Sequence, residues 1–395
     1  MKMNKKRKKI RYLKRLITII VIILFIELIY SLYVFIYGGK TNIYFDGINS
    51  IVETDNYYIS SGSNNDNDKG YEKAKLTIYN KKGDKIKEKL YSNEYTSLFY
   101  DVEVDDGYVA VGSYEEERNK DIKKTKGLFV KYDENLDMIF EKSLGVGDNS
   151  YFSSIKVIDD GYLLVGASNC SKKDCGAYLV KYDKDGELLW SSRYGSHEYG
   201  SFRQLIIVDD YIYVSGLKNK NNSCIVKYDM NGNFIKEYVY ETNDEIGFSD
   251  LVNIDNHIFL VGSKDGDNKN DAFILKCDLD LDYLGESSYT SSHKSRYNRI
   301  IVDKDNNIVV IGSIYTDSDD GIIAKYDYNL ELKDIVKYGD DEDDYFTDII
   351  ESNNGYLVSG YSTYRNNYLY KFIKYSDTLK LLEANQWKLL WLDMV

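Results

Sequence analysis

Residues 153–194 read SSIKVIDDGYLLVGASNCSKKDCGAYLVKYDKDGELLWSSRY, and this stretch decides the fold. It contains four short apolar runs: SSIKVI, then YLLVG after Asp-Asp-Gly, AYLVKYD after a polar loop, and ELLWSSRY after Lys-Asp-Gly. Asp-Gly pairs favour hairpin turns because both residues tolerate the positive φ that tight turns need. The second run is apolar on both faces, so both faces of its sheet must be covered. The stretch is therefore predicted to form a four-stranded antiparallel sheet, with strands A to D in chain order.

The same pattern recurs seven times. The run that corresponds to YLLVG ends in a glycine each time, about 50 residues apart: Gly62, Gly112, Gly166, Gly216, Gly262, Gly312 and Gly360. A second column of equivalent residues, tyrosine in six of the seven repeats, follows in register: Tyr79, Tyr132, Tyr182, Tyr228, Cys277, Tyr326 and Tyr375. The residue before this position is lysine in six of the seven repeats. Radial packing of neighbouring sheets would cover both faces, so the sequence predicts an all-β, seven-bladed β-propeller of four-stranded blades. A β-solenoid is the alternative, and no 3.6-residue apolar period supports a helical solenoid.

The third repeat also resembles a known family of repeats. Its CGAYLVKYDKDGELLW segment and the RYG that follows are similar to the bacterial propeller repeats grouped with quinoprotein-like and delta-60-type propellers. The resemblance covers residues 47–382, but Trp190 is the only tryptophan at the tryptophan position of that repeat. It implies the propeller fold and no particular activity, since the members of this group are largely uncharacterised.

Charge is distributed unevenly along the 395 residues, whose net charge is −13. Residues 1–40 hold ten Lys and Arg against one acid, Glu27, which leaves 41 basic and 63 acidic residues, a net of −22, in the rest. An acidic body repels phosphate backbones, so nucleic acid is not expected as a partner.

The basic head precedes an apolar segment. Residues 16–37 carry only one charge and are long enough to cross a bilayer as a helix. The positive-inside rule places residues 1–15 in the cytoplasm and the rest outside the cell membrane. We therefore predict a single-pass signal anchor; a cleaved signal peptide is the alternative. Residues 38–46 form a short tether, with a reach of roughly 30 Å, to a propeller predicted at residues 47–384.

The two ends of the propeller differ from the repeats. The last D strand, near residues 379–382, is short, so residues 41–45 are predicted to complete the ring by pairing with the last blade. The tail, residues 385–395, has an apolar stripe at helical spacing, which predicts a short helix on the ring. A stripe that contacts a partner or the membrane, and an altered reading frame, are the alternatives. The stripe is formed by Trp387, Leu390, Trp391 and Met394.

The long polar loops between strands B and C are the predicted binding surface, because long loops on a rigid scaffold commonly carry function. Their acidic residues are the candidate contacts: Asp265, Asp267, Asp317, Asp319, Asp340, Asp341, Asp343 and Asp344. Calcium would find oxygen ligands there, together with Asp271, Asp320 and Glu342, but no cluster has the spacing of a calcium loop. No cofactor is therefore predicted, and calcium remains the open alternative.

The four cysteines fall into two pairs. Cys170 and Cys175 bracket the loop CSKKDC and are the candidate disulfide, while Cys224 and Cys277 lie in C strands and are predicted to be small buried residues. The three histidines lie in different repeats, and no nucleophile elbow or phosphate-binding glycine loop is present. No catalytic constellation is therefore identified.

These features predict a membrane-anchored, extracytoplasmic propeller. Its predicted role is a binding or scaffolding module for a protein, a peptide or an envelope polymer. The alternative is a hydrolase or lyase of envelope glycans on the same scaffold, which converging carboxylates and aromatic residues in the channel would favour. A sensory ectodomain is a third hypothesis, although about 15 cytoplasmic residues leave no room for an output domain.

Overall fold

The computed structural model arranges the seven repeats as seven four-stranded antiparallel sheets around a central channel. It describes residues 46–386, with gaps at 66–70, 92, 119–122, 146–148, 169–175, 196–199, 220–221, 242–246, 267–268, 340, 353–354 and 365–366. Each sheet uses four consecutive strands, and the A strands of successive sheets pack side by side around the channel. The predicted seven-bladed propeller is confirmed.

The blades have the following strands in the order A to D. The first four blades comprise β1(Asp46–Glu53), β2(Tyr57–Asn64), β3(Lys73–Asn80) and β4(Lys85–Leu90); β5(Ser97–Asp105), β6(Gly107–Arg118), β7(Lys123–Tyr132) and β8(Met138–Leu144); β9(Tyr151–Ile158), β10(Gly161–Ser168), β11(Gly176–Tyr182) and β12(Leu188–Tyr194); and β13(Ser201–Val208), β14(Tyr211–Asn219), β15(Asn222–Asp229) and β16(Phe234–Glu241). The last three comprise β17(Phe248–Ile254), β18(His257–Gly266), β19(Lys269–Asp278) and β20(Tyr283–Tyr289); β21(Ser295–Val302), β22(Ile308–Tyr315), β23(Asp319–Tyr326) and β24(Leu332–Tyr338); and β25(Asp344–Ser352), β26(Gly355–Tyr364), β27(Asn367–Ser376) and β28(Leu381–Gln386).

The glycine that ends each YLLVG-like run lies opposite a β-bulge in strand A. All seven A–B pairs shift register at this point. A Cβ on Gly166 would lie 2.0 Å from the carbonyl oxygen of Tyr151, and the other six glycines face the same clash at 1.8–2.2 Å. Only glycine therefore lets the bulged strand approach, which explains why the residue recurs in every blade.

The tyrosine column packs between blades, as the apolar B and C strands predict. Tyr182 lies 5.3 Å from Phe129 of the preceding blade, and Tyr79 lies 4.8 Å from Phe372 of the last blade, measured between ring centroids. All six tyrosines of the column are buried. Cys277 takes the seventh place, and Cys277 and Cys224 are buried free thiols, as predicted.

The turns between strands C and D contain a feature that the sequence did not predict. Glycine adopts a positive φ in three of them, but in the other four the same position is a leucine: Leu136, Leu281, Leu330 and Leu379, with φ of 53–66°. A left-handed residue costs about 1–2 kcal/mol. Burial of a leucine side chain contributes about 1.5–3 kcal/mol, and all four are buried. Core packing therefore outweighs the backbone preference.

The ring closes by packing of the seventh blade against the first. The strand β28 completes the last sheet, so all four strands of that blade come from the end of the chain. Asp348 Oδ2 accepts a hydrogen bond from the Ile51 backbone N–H at 2.8 Å, and the hydroxyls of Tyr58 and Ser352 lie 3.1 Å apart. Residues 41–45, predicted to add to this blade, lie outside the described residues.

Membrane insertion was predicted for residues 16–37, which also lie outside the described residues, as does the tail from residue 387. In the part of the chain that the structure describes, there is no helix with the length and apolarity needed to span a bilayer.

Candidate functional site

The seven A strands line the channel with layers of polar side chains. The bulge of each strand supplies two successive residues, one nearer the face where the A strands begin and one deeper. The first set, here named the upper ring, comprises Asn49, Tyr100, Ser153, Arg203, Ser249, Asn298 and Thr347. The second, the middle ring, occupies the next position in each strand and comprises Ser50, Asp101, Ser154, Gln204, Asp250, Arg299 and Asp348.

Part of the upper ring holds neighbouring blades together. Side chains in three blades donate to the backbone carbonyl of the equivalent aromatic residue in the next blade. These bonds are Asn49 Nδ2 to Phe99 O at 2.6 Å, Ser153 Oγ to Phe202 O at 2.8 Å and Asn298 Nδ2 to Phe346 O at 3.2 Å. These three side chains of the upper ring are therefore anchored to the backbone of the next blade.

The middle ring joins blades through carboxylates. Each of its three aspartates accepts a hydrogen bond from a backbone N–H of the following blade. These bonds link Asp101 to Ile155 at 3.1 Å, Asp250 to Ile300 at 3.0 Å and Asp348 to Ile51 at 2.8 Å. Because buried backbone N–H groups require acceptors, these aspartates have a structural role.

A cavity of about 340 Å³ opens at the upper ring and is here called the mouth. Four half-buried tyrosines surround it: Tyr100, Tyr151, Tyr345 and Tyr361. The rings of Tyr100 and Tyr151 meet edge to face at 6.1 Å, and those of Tyr345 and Tyr361 lie 5.0 Å apart. The mouth thus combines aromatic rings with the small polar side chains of the upper ring, on the face that also carries the long B–C loops.

Three arginines also line the mouth: Arg203, Arg296 and Arg299. Arg299 is committed to the scaffold, because its Nε lies 3.4 Å from Asp348 Oδ1 and 3.3 Å from Thr347 O. Arg296 donates to Ser313 Oγ at 3.1 Å. Within the described residues, neither Arg203 nor Arg296 forms an ion pair with a carboxylate. Two uncompensated positive charges therefore face the same cavity.

Two of the four tyrosines, Tyr100 and Tyr345, keep their protons at neutral pH. Burial raises the pKa of Tyr100. Burial, followed by the hydrogen bond from Tyr345 to Asp319 Oδ2 at 2.7 Å, raises the pKa of Tyr345 well above its ordinary value. These hydroxyls are hydrogen-bond donors and poor general bases.

Below the mouth, a second cavity of about 250 Å³ contains the acidic part of the channel. Asp250 keeps some contact with the channel space but is surrounded by protein, and this enclosure raises its pKa to about 6 against the lowering effect of Arg299. Burial also raises the pKa values of Asp348 and Glu103. Glu103 forms an ion pair with Lys156. The channel is therefore cationic at the mouth and acidic beneath it.

This layering predicts an unusual pH dependence of stability. A carboxyl group with a folded-state pKa above its unfolded value contributes stability below the unfolded pKa, and the contribution is lost as pH rises through the folded pKa. For Asp250, a rise from 3.8 to about 6 corresponds to at most about 3 kcal/mol. Thermal unfolding followed from pH 3.5 to 8 should show greater stability near pH 5 than at pH 7.5.

Two other aspartates determine how far the pH can fall before the protein loses stability again. Hydrogen bonds from lysine and tyrosine outweigh burial and lower the pKa values of Asp105 and Asp303, so their contribution is lost as pH falls below about 4. The Asp250→Asn variant should reduce the difference between pH 5 and pH 7.5. Equal or greater stability of the unsubstituted protein at pH 7.5 would contradict the prediction.

The loop aspartates predicted from the sequence have different environments. Asp319 accepts from Tyr345 and, through its backbone N–H, donates to Asp343 Oδ1 at 3.0 Å, so these two support the rim of the mouth. Asp344 is buried in an ion pair with Lys371 at 2.6 Å. Asp317 and Asp341 are exposed.

The remaining predicted site residues fall in parts of the chain that the structure does not describe. Asp267, Asp340, Cys170 and Cys175 lie outside the described residues, as does the side chain of Asp265. Among the residues that are described, no group of three or more His, Cys, Asp or Glu side chains is placed to hold a metal ion. The loop contacts and the disulfide stay predictions.

Sequence reasoning missed the channel residues. The repeats contain a usable pattern, because the two positions after the first buried apolar residue of each A strand are mostly polar within an otherwise apolar run. A second indication is arginine usage. Only six arginines lie beyond residue 40, and three of them line the mouth.

A larger groove of about 500 Å³ lies between the first two blades, on the face opposite the mouth. In four other blades a lysine of strand C bridges to the next blade; Lys131, for example, donates to Tyr162 Oη at 3.0 Å. In the first blade Ile78 occupies this position, which leaves the groove open. The carboxylate of Asp105 at its edge already binds Lys131, Lys184 and Tyr162. The mouth is therefore the better candidate site.

Comparison with known proteins supports the fold. No family model and no curated protein matches the chain. Among solved structures, it is similar to the periplasmic gluconolactonase PpgL of Pseudomonas aeruginosa, with 11% identity, 84% of this chain and 95% of that chain covered, and a TM-score of 0.57. It is similar to an ulvan lyase described as a new family of polysaccharide lyase, with 10% identity, 87% of this chain and 94% of that chain covered, and a TM-score of 0.57. It is also similar to the β-propeller domain of the trilobed protease of Pyrococcus furiosus, described as having an open velcro topology. Here the identity is 12%, 87% of this chain and 95% of that chain are covered, and the TM-score is 0.51. At these identities the similarity establishes the propeller fold alone.

Proposed function

We propose that this protein is a membrane-anchored, extracytoplasmic propeller that binds a polymer of the cell envelope at the mouth of its channel. The observation that carries the proposal is the convergence of four tyrosines, uncompensated arginines and small polar side chains on one cavity. Ligand sites commonly combine apolar or aromatic walls with a few fixed polar groups. The basic head and apolar segment of residues 1–37 support the anchored, extracytoplasmic location.

The chemistry of the mouth supports binding, while the carboxylates that converge below it keep the enzyme alternative open. A hydrolase or lyase needs a group that takes up a proton near neutral pH. The raised pKa values of Tyr100 and Tyr345 keep both hydroxyls protonated at that pH. Asp250, whose pKa is raised to about 6, lies in the cavity below, and its carboxylate already accepts a hydrogen bond from the Ile300 N–H. The similarity to a lactonase and to a polysaccharide lyase is compatible with the enzyme alternative without favouring it.

The test uses the full-length protein, purified in mild detergent and immobilised, and exposed to fractionated envelope polymers. Tyr100→Ala combined with Tyr345→Ala should weaken retention of the bound polymer about tenfold or more, because two aromatic contacts of roughly 1 kcal/mol each are lost. Tyr283→Ala is the matched control, since Tyr283 is an exposed tyrosine of the outer strand β20.

A second comparison separates the mouth from the loops. Asp317→Asn combined with Asp341→Asn removes two exposed loop carboxylates and should leave retention unchanged. Loss of retention in this loop variant alone would overturn the assignment to the mouth. Cleavage of the polymer by the unsubstituted protein would favour the enzyme alternative.

A further inference from the structure

The channel separates its charges into layers. Among the described residues, the mouth is lined by three arginines, and its acidic neighbours, Asp319 and Asp343, lie at the rim, whereas the cavity beneath it is lined by Asp101, Glu103, Asp250 and Asp348. Arg299 and Lys156 compensate part of that acidic layer. An anion would therefore be attracted to the mouth and repelled from the deeper channel. The layering defines both a binding position and a limit to how far a ligand enters.

Arg203 and Arg296 have no carboxylate partner among the described residues, and they lie close enough to affect each other. Enclosure in the channel lowers the pKa of Arg203, Tyr151 opposes this effect and the like charge of Arg296 adds to it, although the guanidinium stays protonated. Two like charges held in one cavity repel each other, and an anion placed between them would relieve that repulsion. Both side chains are exposed at the mouth, so one anion has access to both guanidinium groups.

The use of arginine at this place is selective. Beyond residue 40 the chain has 35 lysines and six arginines, yet three arginines and no lysine line the mouth in the part of the chain that the structure describes. The planar guanidinium donates two parallel hydrogen bonds to a carboxylate, whereas a lysine ammonium acts as a compact point charge. General solubility would be served by lysine, so the arginines point to recognition of a planar anion.

The other groups of the mouth suit a sugar ring. Tyr100, Tyr151, Tyr345 and Tyr361 offer aromatic faces and edges, and Ser249 and Thr347 have hydroxyls that both donate and accept hydrogen bonds. A cavity of about 340 Å³ is at the small end of the range for ligand sites, which fits a short terminal unit of a polymer.

We propose that the mouth binds an acidic saccharide unit, with its carboxylate on Arg203 and Arg296 and its ring against the tyrosines. This inference rests on the proposed function and specifies its ligand class. The negative body, with a net charge of −22 beyond residue 40, repels polyanions elsewhere on the surface. Binding is therefore confined to units that reach the mouth.

The test measures binding of three defined polymers to the full-length protein in detergent: polygalacturonate, which carries carboxylates, neutral dextran of similar length, and polyphosphate. Polygalacturonate should bind at least tenfold more tightly than either of the others. Arg203→Gln combined with Arg296→Gln should weaken its binding at least tenfold, because charge-assisted hydrogen bonds are lost.

The matched control is Lys85→Gln combined with Lys236→Gln, which changes the net charge equally at exposed positions of the outer strands and should leave affinity unchanged. Unaltered thermal unfolding of both double variants verifies that they fold. Equal binding of dextran, tighter binding of polyphosphate, or an unaffected arginine variant would each overturn the proposal. If the tyrosine variants still lose binding while the arginine variant does not, the mouth remains the site and only the charge assignment fails.

Discussion

Gly166→Ala is expected to destabilise the propeller by about 3–5 kcal/mol, although it adds a single methyl group. The new Cβ would lie 2.0 Å from the carbonyl oxygen of Tyr151 and 2.9 Å from the Cα of Phe152. Both are backbone atoms of the bulged strand β9, so no side-chain rotation relieves the clash. Strand β9 must move, and the channel contacts that begin at Ser153 and Ser154 move with it.

Differential scanning calorimetry of the variant measures this loss directly. Gly247→Ala is the control, because its Cβ would meet nothing nearer than the guanidinium of Arg203 at 3.4 Å, an ordinary van der Waals distance. The control should unfold within a few degrees of the unsubstituted protein. Equal stability of the two variants would show that the bulge is not the reason for the repeated glycine.

Asp348→Ala is expected to destabilise the protein by about 3 kcal/mol and to accelerate unfolding. The carboxylate accepts hydrogen bonds from the backbone N–H groups of Ile51 and Ile349 and faces Arg299. Its removal leaves a largely buried N–H without its acceptor and reduces the compensation of a guanidinium charge. Asp250 and Asp101 also act on Arg299, which keeps the expected loss at the lower end of the range for a broken buried pair.

The effect on kinetics distinguishes ring closure from general loss of contacts. Asp250→Ala removes the equivalent bond to Ile300, but the fifth and sixth blades are also connected by the chain itself. Between the first and seventh blades, packing and hydrogen bonds are the contacts that the described residues show. Stopped-flow unfolding in guanidinium chloride should therefore show a larger rate increase for Asp348→Ala. A rate increase in Asp250→Ala as large as that in Asp348→Ala would indicate that the ring opens with equal ease at any interface.

The fold could be predicted from the sequence because each blade repeats the same local requirements. Gly166 and its equivalents are needed at the bulge, and Tyr182 and its equivalents are needed at the blade interface. Both requirements act between neighbouring strands, so they leave the same residue at the same spacing in every repeat. Leu281 and the three other left-handed leucines were missed because burial in the core compensates for an unfavourable φ.

The candidate site could not be predicted in the same way. The predicted aspartates were chosen for their loops, and of those described only Asp319 and Asp343 touch the rim of the mouth. Arg203 and Arg296 lie in different blades, 93 residues apart, and each occupies a position that holds a different side chain in other repeats. The polar positions of the A strands mark the channel, but they do not show which side chains form the ligand site, because such a site needs one copy of each group and a repeat pattern reveals only what every copy shares.

The sequence by itself determined the number of blades, the order of strands and the columns that pack between the sheets, since these depend on hydrophobic periodicity and on turns within about 50 residues. It also determined the charge asymmetry between the basic head and the acidic body. Only the tertiary structure decided which polar side chains meet. Closure of the ring brings one residue from each of seven A strands to the same channel, and the enclosure gives Arg203, Asp250 and Tyr100 their altered pKa values. Because that enclosure exists only when all seven blades are assembled, no single repeat contains the information.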